Sequence, residues 1–322
     1  MNFEILSSQW LRALRGRRSR PGFSRFLGYQ SNIAQHWETG RSWPTATTFF
    51  RICRSLRLPP EQRIRRFLQR TPRWLETADL SDRASVAAFL VELQGRNPIR
   101  ELASRSGYNR FSVSRWLHGT ADPKLPELLA LIDAASRRTL DFVAEFTPPS
   151  TLPCAVADWK QLSLLREGAY TQPLSHAVLR ALELDSYAAG GHRDADYLPR
   201  TIGASADEVE SALQFLLASG QVRKSRRGYR PDQVGVVDTG VDLARARQLR
   251  LAWTRRALER LEAGTSGHFG YSLFAISKLD FQRLEQLQAD YVRAMQGIIA
   301  NSGANECVGL YCAQLLDLAR AK

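Results

Sequence analysis

Two stretches of the chain, 79 residues apart, carry one pattern. Leu27 to Gly40 reads LGYQSNIAQHWETG, and Ser106 to Gly119 reads SGYNRFSVSRWLHG. Gly28 and Gly107, Tyr29 and Tyr108, Trp37 and Trp116, Gly40 and Gly119, and Pro44 and Pro123 fall in one ungapped register. Self-similarity of this kind restricts the chain to tandem copies of one structural unit. In the first copy Gly28 permits the left-handed backbone of a tight turn between helices. Gln30 or Ser31 can cap the helix that follows. Ile33, Ala34 and Trp37 recur at helical spacing and face inward, and Gly40 ends the helix. The pattern is the turn and second helix of a helix-turn-helix. It leaves Ser31, Asn32, Gln35 and His36 outward, short polar groups able to meet base edges. In the second copy the outward residues are Arg110, Phe111, Ser114 and Arg115.

The charge supports the same direction. The net charge is +13, and it is concentrated near the N-terminus. Residues 1–75 hold 15 Arg and no Lys against three acids, whereas residues 81–150 hold nine bases and eight acids. Such asymmetry points to a polyanionic partner. A charge run alone is more often a solvated face; on a helix-turn-helix it becomes a phosphate-contacting surface. Arg17, Arg18, Arg20, Arg25 and Arg41 are the expected phosphate contacts.

Helical periodicity fills in the rest of each copy. Phe3, Leu6, Trp10, Leu11 and Leu14 mark a first helix, and Phe23, Phe26 and Leu27 a short core stripe before the turn. Helices are predicted over 45–56 and 61–68, and in the second copy over 86–93, 98–106, 109–118, 125–135 and 140–146. Both copies resemble the five-helix DNA-binding domain of the Cro and lambda-repressor class, the XRE-like family. The resemblance implies that the start of the second motif helix reads bases: Ser31, Asn32 and Gln35 in one copy, and Arg110, Phe111 and Ser114 in the other. Pro21-Gly22, Ser106 and Phe111 depart from the family pattern. Three roles stay open for Phe111: contact with a thymine methyl, contact with a partner protein, or packing inward. The second copy as a whole is either a DNA reader or a structural repeat.

A Pro-rich linker at 147–153 leads to a predicted helix over 154–172. Helices over 177–184, 196–202 and 206–219 follow, the last capped by Ser205. Gln221 to Arg230 then alternates as a hairpin turning near Arg226-Arg227-Gly228. This is winged-helix order, and Arg223, Lys224, Arg226 and Arg227 suit backbone or minor-groove contact. Asp207, Glu208 and Glu210 make the third helix acidic at its start, which favours dimerisation or protein docking as the alternative. His192, Asp194 and Asp196 form an HxDxD string without a second ligand cluster, so a solvated loop is expected there. Helices over 242–263 and 278–300 alternate with strands over 269–276 and 306–316, as in a βαβ unit. The order over about 170–318, with Ser277-Lys278-Leu279-Asp280-Phe281 opening its last helix, resembles a bacterial family known as domain of unknown function 4423. That resemblance implies a transcriptional regulator and supplies no ligand.

No apolar run approaches a membrane span, and no signal peptide opens the chain, so a cytoplasmic location is expected. Cys53, Cys154, Cys307 and Cys312 lack the paired spacing of a zinc site. No nucleophile elbow, phosphate loop or zincin motif is present. The sequence therefore predicts no enzyme, no catalytic residue, no metal and no cofactor. The expected fold class is mainly α: two tandem helix-turn-helix bundles (1–75 and 76–146), a linker and connecting helix (147–172), a winged helix-turn-helix (173–235) and a small α/β module for dimerisation or sensing (236–322). The expected function is sequence-specific binding of double-stranded DNA by a transcriptional regulator. The alternative is a regulatory adaptor whose units dock other proteins. A homodimer, an unknown protein or small-molecule effector, and no membrane complete the expected partners.

Overall fold

The computed structural model describes residues 1–95, 97–231, 239–240, 242–300 and 302–319. The chain is mainly helical, and among the described residues its sheet consists of two short antiparallel strands. It divides into two compact units, Met1–Gln161 and Leu162–Lys322.

The first unit holds α1 (Phe3–Arg15), α2 (Arg20–Phe26), α3 (Ile33–Glu38), α4 (Ala46–Ser55), α5 (Pro60–Leu68) and α6 (Arg73–Glu76). It continues with α7 (Arg83–Gln94), α8 (Ile99–Ser106), α9 (Arg110–Leu117), α10 (Leu125–Ser136) and α11 (Thr139–Ala144). Local chemistry sets these ends. The Asn2 carboxamide accepts from the Glu4 and Ile5 N–H groups at 3.0 and 3.1 Å, satisfying two of the orphan donors of α1. Ser19 and Asp82 cap α2 and α7 in the same way. Pro60 and Pro126 sit in first turns, where a missing N–H is harmless.

Sequence alone places the two repeats in separate bundles; the structure gives them one core. The buried aromatics Trp10, Phe49, Phe67, Phe89, Phe142 and Phe146 interlock across both copies. Trp10 lies 4.6 Å from Phe49 in its own copy and 5.9 Å from Phe142 in the other. Its indole N–H donates to the Thr147 hydroxyl at 3.0 Å. A small helical domain buries little apolar area by itself, and each of these side chains contributes about 1.5–3 kcal/mol when fully buried. Phe26, expected in the core, is instead 46% exposed. It stacks on Phe23 and carries the Arg18 guanidinium 4.7 Å from its ring centre.

α12 (Val156–Thr171) runs from the first unit into the second. Beyond it lie α13 (Pro173–Leu182), α14 (Asp185–Ala189), α15 (Tyr197–Ile202) and α16 (Ala206–Ala218), then β1 (Val222–Ser225) and β2 (Gly228–Pro231). Val178, Leu182, Leu198, Val209, Leu213, Leu216 and Val222 form their core. The hairpin register pairs Val222 with Pro231 and Ser225 with Gly228, and Gly228 takes φ +80° as the turn requires. The expected boundary at 235/236 lies outside the described residues.

α17 (Leu243–Glu262) and α18 (Lys278–Ala300) match the predicted helices closely. The two predicted strands differ. Among the described residues, 269–276 and 302–317 hold no β-pairing. The second segment is tied elsewhere: Asp185 N–H donates to the Asn305 carbonyl at 3.0 Å, and Asn305 N–H donates to the Asp185 carboxylate at 3.1 Å. Val308 rests on the core of the second unit, and the Tyr311 ring meets Tyr291 at a tilt, with centres 5.5 Å apart. The first segment stays in solvent, with Tyr271 94% exposed. Alternation of apolar residues marks strand-forming tendency, but a strand also needs a neighbour.

Candidate nucleic-acid interface

The outward face of α3 is fixed by what lies beneath it. Ala34 and Trp37 are buried, and Tyr29 meets the Trp37 ring edge-on at 5.7 Å. Gly28 turns the chain at φ +83° between α2 and α3. The expected caps, Gln30 and Ser31, do not close this helix. Asn32 holds the cap position without a side-chain capping bond. The buried Ser24 hydroxyl takes over, accepting from the Ala34 N–H at 3.1 Å and donating to the Arg20 carbonyl at 2.9 Å. A hydroxyl from the preceding helix thus locks α2 against α3, a contact that local sequence spacing does not reveal.

This arrangement leaves Ser31, Gln35 and His36 exposed, with Asn32 half-buried beside them. The Asn32 amide donates to Gln35 Oε1 at 3.0 Å, which aligns the two side chains along the face. Arg17 and Arg18 before α2, Arg25 within α2 and Arg41 just after α3 are exposed. Arg20 is engaged differently from the rest: its Nε donates to Glu38 at 2.9 Å, while Arg15 Nε reaches the other carboxylate oxygen at 2.5 Å. The Glu38 side chain is only 2% exposed. Burial opposes its ionisation, but the Arg15 and Arg20 hydrogen bonds outweigh that, and its pKa falls below the ordinary value. Glu38 therefore clasps α3 to α1 and α2. Its arginine partners lie 18 and 23 residues away in sequence, beyond any helical spacing.

The second repeat places its side chains on an equivalent frame. Gly107 turns at φ +75°, and Tyr108 meets Trp116 edge-on at 5.3 Å. Here Asn109 does cap the helix, accepting from the Ser112 N–H at 2.8 Å. Arg110, Phe111 and Arg115 are exposed, and Ser114 is half-buried beside His118. Phe111 is 84% exposed, so inward packing, one of its three open roles, is excluded.

In the second unit Arg223, Lys224, Arg226 and Arg227 are exposed on the hairpin. The hairpin is anchored by the Tyr229 N–H, which donates to the Tyr187 hydroxyl at 3.0 Å. Lys224 lies over the Tyr229 ring at 5.8 Å. The start of α16 is exposed, and its polar groups are engaged locally. Ser205 and Glu208 form a reciprocal capping box, at 3.2 and 2.8 Å. Glu208 also pairs with Arg256 of α17 at 2.8 Å. Asp207, Glu208 and Ser211 face Trp253 and Arg256 across a cleft of about 500 Å³. The HxDxD string is spoken for locally: Asp194 pairs with Arg200, and His192 lies within hydrogen-bond distance of the Tyr187 carbonyl at 3.2 Å. Among the described residues no group of three or more metal-ligating side chains converges. No helix there is long and apolar enough to cross a membrane.

The four cysteines are free thiols, and burial pushes Cys53 well up from its ordinary value. A thiol held protonated in this way is a packing group.

No curated protein and no solved structure matches the chain. Residues 156–314, from the start of α12 through α18 into the extended C-terminal segment, match the family described as a domain of unknown function (DUF4423).

Proposed function

We propose that the protein is a DNA-binding transcriptional regulator, with its first repeat acting as a helix-turn-helix that reads the major groove of duplex DNA. The observation that carries this reading is the outward face of α3, where Ser31, Gln35 and His36 are exposed, together with exposed Arg17, Arg18, Arg25 and Arg41 on the segments that precede and follow it. The polar groups would read base edges and the arginines would hold phosphates. Arg20 would act indirectly, by holding Glu38 and so the pose of α3. The second repeat would be a second reader of the same class. The hairpin of the second unit would add backbone contacts as the wing of a winged helix. The third helix of that unit, with Glu208 paired to Arg256, would serve as a packing element.

The test is binding of the full chain to duplex DNA across a salt series. A steep fall of affinity with salt, together with enrichment of particular sequences from random duplexes, supports the reading. Affinity that ignores salt, with no sequence enriched, overturns it.

One observation favours the second reading, a regulatory adaptor that docks another protein. An exposed phenylalanine such as Phe111 is unusual on a face meant only for phosphate and base edges. Under that reading Phe111→Ala abolishes capture of a protein partner at high salt and leaves DNA affinity unchanged.

A further inference from the structure

The two repeats are joined as a two-fold pair. Such a contact is recognised by reciprocity: if residue i of one copy meets residue j of the other, their counterparts meet as well. Backbone bonds obey this rule. The Ala46 N–H donates to the Pro123 carbonyl at 2.7 Å, and its counterpart, the Leu125 N–H, donates to the Pro44 carbonyl at 2.9 Å. Aromatic contacts obey it too. Trp10 meets Phe146 at 5.9 Å and 67°, and the exchanged pair, Phe89 and Phe67, meets at 6.3 Å and 70°. α1 rests on α10, and α7 rests on α4.

Two contacts join a residue to its own counterpart and so straddle the axis. One is the bridge between Thr45 and Lys124. The other is the ion pair of Arg66 with Glu145, at 3.0 Å. The bridge marks the end of the axis that matters for binding. α3 ends at Glu38, seven residues before Thr45, and α9 ends at Leu117, seven before Lys124. Both outward-facing helices therefore flank the same end of the axis. The Thr47 hydroxyl donates to the Asp122 carboxylate at 2.6 Å and pins the register there.

We infer that the first unit is an intramolecular dimer, and that one chain grips one duplex through two unlike half-sites. This rests on the DNA-binding reading above. The two-fold sets the arrangement of the site: its halves are inverted relative to each other, and paired heads of this kind take half-sites about one helical turn apart, 10–10.5 bp centre to centre. The side chains set the difference between the halves. Gln35 of the first copy stands where the second has Ser114, Ser31 where it has Arg110, Asn32 where it has Phe111, and His36 where it has Arg115. Asn and Gln match the adenine edge, Arg matches guanine, and an aromatic ring suits the thymine methyl. The first half-site carries adenine and the second carries guanine beside thymine. A homodimer of identical heads would read a true palindrome; this unit reads an imperfect one without a second chain.

The experiment is selection of the full chain on random duplexes, followed by native mass spectrometry of the chain on the recovered duplex. The expected result is a bipartite motif with unlike halves and one chain per pair of half-motifs. Gln35→Ala then relaxes preference about tenfold in the adenine half alone, and Arg115→Ala does so in the guanine half alone. Both residues are exposed, so the fold tolerates the changes. A single short motif untouched by Arg110→Ala and Arg115→Ala overturns the inference and leaves DNA reading by the first repeat intact. A true palindrome carrying one chain per half does the same. No enriched sequence at all overturns both.

Discussion

The first repeat turns Ser31, Gln35 and His36 to solvent where the second turns Arg110, Phe111 and Arg115. Beneath that surface the frames coincide: the turn glycines have φ +83° and +75°, and the Tyr–Trp pairs lie 5.7 and 5.3 Å apart. The copies also solve one packing problem in opposite ways. The first buries Glu38 under Arg15 and Arg20. The second has buried Leu117 at the counterpart of Glu38, with Gln94 and Ile99 at the counterparts of the arginines. Inward positions answer to a shared core, so a change at one is met by changes at its neighbours, as Leu117 goes with Gln94 and Ile99. Outward positions answer only to a partner, so their divergence is where unlike specificities would be written.

The hardest way to break the comparison is through the core that joins the copies. Trp10 and Phe89 are counterparts, and both are fully buried. Trp10→Ala should cost about 3–5 kcal/mol, because it opens a cavity lined by Phe49, Phe142 and Phe146. Trp10→Phe, which installs the second copy's residue, should cost about half as much; it keeps an aromatic ring but leaves the Thr147 hydroxyl without its donor. Chemical denaturation followed by tryptophan-independent circular dichroism separates the two. Equal losses would mean that the ring contacts across the copies contribute little.

Glu38 comes next. Glu38→Ala should destabilise the chain by about 3 kcal/mol, since it leaves Arg15 partly buried with its charge uncompensated. Arg15→Gln with Glu38→Leu, the second copy's solution, should cost much less than the single change. The pH dependence follows from the sign of the shift. The pKa of Glu38 is lowered in the folded state, so its stabilisation is present at neutral pH. It begins to fade as pH drops past the ordinary value of 4.5 and is gone below the depressed one. The stability gap between the parent and Glu38→Gln should therefore narrow with acidification below 4.5. A gap that stays constant to low pH would show that the pair is not ionic in the folded state.

The outline of this fold was legible because its signals are local. A Gly–Tyr…Trp–Gly register announces a repeat, and helix ends follow from Gly28, Gly40 and Ser205. What could not be read is what depends on distance. Ser24 caps a helix ten residues on, and Glu38 draws arginines from two other helices. The sharing of one core by both copies depends on which of several apolar stripes meet, and single-copy periodicity is silent about that. The 269–276 segment fails for the same reason: its alternation was plain, its partner was not. Of the candidate site, the outward residues of α3 and α9 could be named from helical phase, whereas the engagement of Arg20 could not.

A smaller effect sharpens the comparison at a single pair of counterparts. Phe111 stands where the first copy has Asn32 and is 84% exposed. Phe111→Asn should change stability by no more than about 0.5 kcal/mol. On the selected duplex it should cost about 1 kcal/mol and move the preferred base at one position of the second half-site from thymine towards adenine. Binding measured by anisotropy on duplexes altered at that position reads the change. If affinity and base preference both stay fixed, Phe111 faces something other than DNA.

The smallest effect concerns charge alone. Arg18 belongs to the exposed basic rim of the first copy, and its counterpart in the second is Asn97. A phosphate contact carries no sequence information, so Arg18→Ala should weaken binding to every duplex alike and lower the slope of log affinity against log salt by about one. The converse change tests the two-fold directly. If both copies lie along the same duplex, Asn97→Arg places a new cation where the axis maps Arg18, and the slope should rise by about one. If the second copy points away from the duplex, the added charge meets only water beyond a Debye length of about 10 Å, and the slope stays put. Paired titrations of Arg18→Ala, Asn97→Arg and the double variant thus ask whether a position gained in one repeat restores what was lost in the other. Additive, opposite changes in slope require that both rims touch phosphate.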